Sequence, residues 1–173
     1  MQIHQITASS TVALEFSEMF FLYLSSLSIK PLRIIESGRA RGQSTLILSK
    51  LFPNAEIISI EHDKTSPDTL IAKKRLGKIK NVKMLFGDSS VLLPQILANG
   101  SNDIVLIDGP KGYKAIRLAL KILPFKNVKQ VYIHDTHILT KERAFLDKYL
   151  SNIIYSDNPN LAAKNYSLDQ KKE

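Results

Sequence analysis

The stretch from Arg33 to Thr45, Arg-Ile-Ile-Glu-Ser-Gly-Arg-Ala-Arg-Gly-Gln-Ser-Thr, constrains the fold of this chain more than any other. Arg33, Ile34 and Ile35 read as a strand running into Glu36. Gly38 and Gly42 then frame a four-residue step, and the spacing of Leu46, Ile47, Leu48 and Leu51 starts a helix with Ser44 or Thr45 near its first turn. Strand, glycine turn and helix together are the local shape by which an open α/β sheet brings bare backbone up to a nucleotide-like ligand. At Gly38 and Gly42 a Cβ would strike either that ligand or the packed helix.

The spacing departs from the dinucleotide fingerprint Gly-x-Gly-x-x-Gly, because Ala40 stands where the middle glycine belongs and an acid stands two residues before the first. Glu36-x-Gly38-x-x-x-Gly42-x-Ser44 resembles instead the first motif of class I S-adenosylmethionine-dependent methyltransferases, most closely the small-molecule O-methyltransferases of the catechol and caffeoyl-CoA type. The resemblance runs from about residue 33 to 135. It implies S-adenosylmethionine as cofactor, with Glu36, Gly38, Gly42 and Ser44 at its binding turn.

The rest of the chain alternates as such a fold requires. Ser9, Ser10 and Thr11 are N-cap candidates for a helix from about residue 12 to 28, whose stripe of Phe16, Phe20, Tyr23 and Leu27 is expected to face the core. Met19, Phe21, Leu22 and Leu24 widen its apolar surface, which suits a homodimer contact or a cover over the site. Strands are expected at 33–35, 56–60, 82–86, 103–107 and 130–133, separated by helices opening at Ser44, Ser66-Pro67, Ser90 and Tyr113 and followed by one at Lys141, with Pro94 interrupting the third of these. This predicts an α/β, doubly wound, mainly parallel Rossmann-like sheet flanked by helices. Residues 1–173 are read as a single domain: an N-terminal helix to 30, a cofactor-binding core over 31–150, a C-terminal antiparallel hairpin over 151–166, and a frayed polar tail.

Each expected strand delivers an acid to the same edge, where open parallel sheets bind ligands. Glu61 follows the second strand, where a carboxylate accepts from both ribose hydroxyls; an exposed loop acid is the other reading. Asp88 and Ser89 resemble the family's adenine-binding step, although Asp88 also suits a helix cap. Asp108-Gly-Pro-Lys111 resembles the step in which an aspartate binds a divalent metal and a lysine acts as base toward the acceptor hydroxyl; Gly109-Pro110 alternatively makes Lys111 a turn residue. Asp108 and Lys111 are therefore the catalytic candidates, and Asp108 with Asp135 the candidate ligands of a Mg²⁺ ion. The family follows the second metal aspartate with Asn, whereas Asp135 is followed by Thr136; His134 and His137 are either substitutes or structural residues. Without metal, one of the two carboxylates is expected to have a raised pKa.

The chain has no cysteine, which excludes disulfides, thiolate metal sites and a cysteine nucleophile. Its first ten residues lack a basic and hydrophobic leader and its longest apolar run is too short for a membrane span, so a cytoplasmic protein without membrane insertion is expected. Its net charge of +8 invites an acidic partner. Most of the lysines between 73 and 83 read as a solvated helix face without the interleaved aromatics that single-stranded nucleic acid uses, which favours a small-molecule acceptor over nucleic acid. Arg39 and Arg41, inside the glycine turn, are either solvated or form, with Lys111 or Lys114, a cationic rim for an acidic acceptor.

Overall fold

The computed structural model describes residues 2–6, 16–100 and 102–158. Its elements in chain order are β1 (Gln2–Ile6), α1 (Phe16–Ser26), β2 (Arg33–Ser37), α2 (Gln43–Leu51), β3 (Glu56–Glu61), α3 (Pro67–Leu76) and β4 (Val82–Phe86), then α4 (Ser89–Leu97), β5 (Asp103–Ile107), α5 (Tyr113–Ile122), β6 (Val128–His134), α6 (Lys141–Tyr149) and β7 (Ile153–Tyr155). The strands form one sheet in the order β4-β3-β2-β5-β6-β1-β7, and every pairing is parallel. The sequential order reverses between β2 and β5, where Ser37 lies opposite Ile107. That switch point is where such sheets open a ligand crevice.

Alternation along the strands divides the core into two layers, because successive side chains point to opposite faces. Ile34, Ile57, Ile104, Leu106 and Tyr132 pack with Met19 of α1 and Leu48 of α2. Ile35, Ile58, Val105, Ile107 and Val131 pack with Leu93 of α4 and Leu118 of α5. β5 is buried at all five positions, as a central strand covered on both faces must be.

Two terminal expectations change. β1 extends the sheet beyond β6, pairing from Gln2 opposite Gln130 to Ile6 opposite His134; its isoleucines lie three residues apart, so no two-residue alternation announces it in sequence. At the other end, β7 pairs in parallel with β1, and the return strand expected over 161–166 lies outside the described residues. α4 continues through Pro94: the Ser90 carbonyl that Pro94 cannot engage four residues on accepts instead from Lys121 Nζ at 2.8 Å.

α1 is turned by about one residue from the expected face. Met19 and Leu22 are fully buried, whereas Phe20 is 47% exposed and Leu27 48% exposed. The side chains that fit here are those able to meet the polar end of Tyr132, since Ser25 and Ser26 lie 2.7 and 2.9 Å from its hydroxyl. An aromatic stripe in that place would remove the two serine hydroxyls that meet it, leaving Gln130 Oε1 at 2.7 Å as its side-chain partner. Met19→Ala and Leu22→Ala should each cost about 2–5 kcal/mol in denaturant unfolding, and Phe20→Ala and Leu27→Ala less than about 1 kcal/mol. Equal losses at all four positions would contradict this orientation.

Candidate active site

The turn after β2 is fixed from below by Glu36. Its carboxylate, fully buried, accepts hydrogen bonds from Ser44 and Thr45 in the first turn of α2 and from Ser59 Oγ of β3 at 2.6 Å. Burial pushes the Glu36 carboxyl up to about 7 despite these three donors. Above it, Gly38 and Gly42 both have positive φ, 92° and 72°. A Cβ on Gly38 would lie 2.6 Å from the Gly109 nitrogen, and one on Gly42 2.7 Å from Leu76 of α3. Glycine is therefore required by close approach to the loop after β5 at one position and by helix packing at the other.

A cavity of about 600 Å³ opens at the carboxyl ends of β2, β3, β4 and β5, of the size that small ligands occupy. Of the residues singled out in the sequence for the cofactor, Gly38, Glu61, Asp88 and Ser89 line it. Glu36, Gly42 and Ser44 do not; they form the frame behind its wall, where Ser44 and Glu36 are bonded to each other. Glu61 accepts from the Ala40 and His62 amides, both at 2.8 Å. Asp88 caps α4 by accepting from the Ser90 amide at 2.7 Å, and the Ser90 hydroxyl, followed by that amide, holds its carboxyl below the ordinary carboxylate range. Ser37, at the end of β2, donates to the Gly109 carbonyl and lies 2.6 Å from the Ser89 hydroxyl, tying three walls together.

Beside Gly109 stands a compact polar cluster. Lys111 Nζ lies 2.6 Å from a carboxylate oxygen of Asp108 and 2.6 Å from one of Asp135. His134 Nδ1 lies 2.7 Å from Asp108 and 3.2 Å from Asp135. On its other side His134 Nε2 is 3.5 Å from the buried carboxylate of Glu18, an ion-pair contact longer than a well-made hydrogen bond. Burial opposes charge on His134, but Asp108 and Glu18 outweigh it and push its pKa up to about 9. Burial likewise opposes charge on Lys111, and the two carboxylates outweigh it and raise the ammonium above its ordinary value. For Asp108 burial is again outweighed, by His134 and Lys111, and its carboxyl is lowered. Asp135 sits at φ 61°, a left-handed conformation uncommon for a residue with a Cβ.

Lys111 between the two carboxylates, with its ammonium raised above the ordinary value, and the lowered carboxyl of Asp108 differ from the raised carboxylate expected without a metal. Nor do the arginines of the turn form a rim. Arg39 is 2% exposed, donates to the Ser59 carbonyl at 2.7 Å, and lies over the Phe86 ring, while Arg41 pairs with Asp68 at 2.8 Å. The cations facing the cavity are Lys114, Arg117 and Lys121 of α5. Their spacing of three and four residues was the available signal for Arg117 and Lys121, which the sequence reading passed over. Glu18 was missed too; an acid within the apolar run of α1 was its only mark.

Glu36 sets a pH dependence. Its folded pKa of about 7 lies above the ordinary 4.5, so its protonation contributes stability fully present below about pH 4.5 and lost as pH rises through about 7. The change is on the order of 3 kcal/mol. In unfolding titrations Glu36→Gln should remove that decline, so that the difference from wild type opens between these pH values and is constant above them. Parallel profiles would show that Glu36 does not titrate in this window.

Residues 30–111 match the family model described as "Putative methyltransferase". None of the curated proteins matches the chain. Among solved structures, cofactor-bound Rv0187 from MTB is 26% identical with a TM-score of 0.50, over 65% of this chain and 53% of that one. The O-methyltransferase TomG from Streptomyces achromogenes, in complex with SAM, is 24% identical with a TM-score of 0.50, over 64% and 52%. The "putative RNA methyltransferase PH1948 from Pyrococcus horikoshii" is 24% identical with a TM-score of 0.54, over 76% and 61%. The chain thus spans about half the length of the first solved structures it matches. No helix among the described residues is long and apolar enough to cross a membrane. The matched segment is a little under half of the chain, and with its parallel sheet it resembles the class I S-adenosylmethionine-dependent methyltransferases.

Proposed function

We propose that the protein transfers the methyl group of S-adenosylmethionine to an oxygen of a small-molecule acceptor held against Asp108, Lys111 and Asp135. The observation that carries this reading is the joining of the cavity to the charged cluster at Gly109, on the carboxyl edge of a parallel sheet. In this reading Glu61 accepts from the ribose hydroxyls, Asp88 and Ser89 meet the adenine, and Gly38 lets the cofactor approach the backbone. Glu36, Gly42 and Ser44 act one layer back, by holding the turn.

The acceptor oxygen attacks the methyl carbon as the carbon–sulfur bond breaks, with the electron pair remaining on sulfur and the acceptor proton passing to water. Lys111, kept protonated, stabilises the oxygen as an anion and so favours acceptors with an acidic hydroxyl. Asp108 and Asp135 hold the ammonium in place from both sides.

Two carboxylates suit a hard divalent ion, and one ligand atom from each of Asp108, His134 and Asp135 lies within 4.8 Å of the others. An ion there would have to displace Lys111, whose ammonium lies 2.6 Å from both carboxylates and 3.1 Å from His134 Nδ1. As arranged, the ammonium takes the place an ion would fill. A second reading, a nucleic-acid acceptor, is favoured by the ring series Tyr113, Phe145 and Tyr149, with centroids 6.0 and 4.8 Å apart and Lys148 over Tyr149.

Mass-spectrometric methyl transfer to a panel of phenols, acidic small molecules and an RNA oligonucleotide, with chelator or Mg²⁺, separates these readings. Turnover of a phenol that survives chelation is expected; turnover that Mg²⁺ restores would seat an ion between Asp108 and Asp135. Lys111→Met should lower kcat/KM by roughly 10²-fold, with Lys111→Arg recovering part of it in steady-state kinetics. Unchanged kinetics in Lys111→Met would remove it from the reaction.

A further inference from the structure

From the α5 wall of the cavity we infer that the acceptor carries an oxyanion group, phosphate or carboxylate, seated on Lys114 and Arg117. The inference rests on the methyltransferase reading and specifies its acceptor. Lys114, Arg117 and Lys121 lie on one face of α5, with Arg117 about 4.5 Å and Lys121 about 10 Å along the axis from Lys114, and all three line the same cavity as Glu61 and Asp88. Lys121 is engaged: its ammonium donates to the carbonyl that Pro94 leaves free. Lys114 and Arg117 are exposed, and among the described residues neither makes an ion pair or hydrogen bond.

A cavity for S-adenosylmethionine should not have cations on its wall without a counter-charge. The cofactor brings a sulfonium and an ammonium against one carboxylate, so its net charge is positive, and like charges in a partly enclosed space repel more than in bulk water. The acids of the cavity, Glu61 and Asp88, lie on the strand side and are occupied by ribose and adenine in this reading. An oxyanion on Lys114 and Arg117 supplies the missing charge from the acceptor. α5 begins two residues after Lys111, and the cavity it lines also includes Gly109 and Pro110, which lead to the cluster. Cofactor and oxyanion then bind with positive coupling, stronger for S-adenosylmethionine than for S-adenosylhomocysteine, which lacks the sulfonium charge.

Calorimetry of both cofactors, in chloride and with inorganic phosphate or acetate at matched ionic strength, tests this without turnover. In the wild type, one of the two anions should tighten S-adenosylmethionine roughly fivefold or more and S-adenosylhomocysteine less; which anion acts assigns phosphate or carboxylate. Lys114→Gln/Arg117→Gln should abolish the dependence on that anion. Affinities independent of both anions would overturn the proposal while leaving the methyltransferase reading standing. A double variant that loses S-adenosylhomocysteine affinity in chloride alone would give the two cations to the cofactor's own carboxylate and overturn it as well. Failure of the wild type to bind either cofactor would remove the methyltransferase reading and this proposal with it.

Discussion

A buried carboxyl group filled by hydroxyl donors holds the working edge of this protein together. Glu36 ends β2, and its oxygens collect hydroxyls from the first turn of α2 and from β3. Isolated from water, such a group is costly unless its lone pairs are filled, and three donors fill them here. The filling fixes how far α2 stands from the sheet. That distance leaves the residue 38–42 turn with room only for glycine at its ends, so that Gly38 touches the loop after β5. The cavity, the switch point and the charged cluster beyond Gly109 all inherit their positions from this contact.

The same economy of charge shapes the cluster itself. Two aspartates end neighbouring strands β5 and β6 and would repel at close range. Lys111, three residues beyond Asp108, reaches both of them, and His134 stands behind, backed by Glu18 from α1. Three carboxylates and two cations are thereby brought together from three segments distant in sequence. The left-handed backbone at Asp135 is the local cost of turning its carboxylate toward Lys111.

What the sequence made legible follows from how each signal arises. β4 and β5 fall at the residues their apolar runs indicate, and Ser66 caps α3 as its place before Pro67 suggests. These are local effects, readable from neighbours along the chain. The face of α1 was not legible, because Phe20 and Met19 are equally apolar and only the hydroxyl of Tyr132, far along the chain, selects between them. The role of Arg39 was hidden for the same reason: its partners are carbonyls of β3 and β4, and nothing in the turn itself distinguishes a buried arginine from the exposed Arg41 beside it. Charge state at Lys111 depends on Asp135 and therefore on strand order, which motifs imply but do not measure.

The sheet also carries an order of assembly. β2 to β6 are joined by short crossovers and can pair as they are made, whereas β1, first in the chain, finds its partner only when β6 exists. Gln2 then closes a loop to Gln130, and the entropy of that closure grows only with the logarithm of its length. β7 comes later still, because its pairing in the sheet is with β1. β1 and β7 thus form a seam on the far side of β6 from the crevice. No strand of that seam borders β2, and the switch point between β2 and β5 is flanked by β3 and β6 alone.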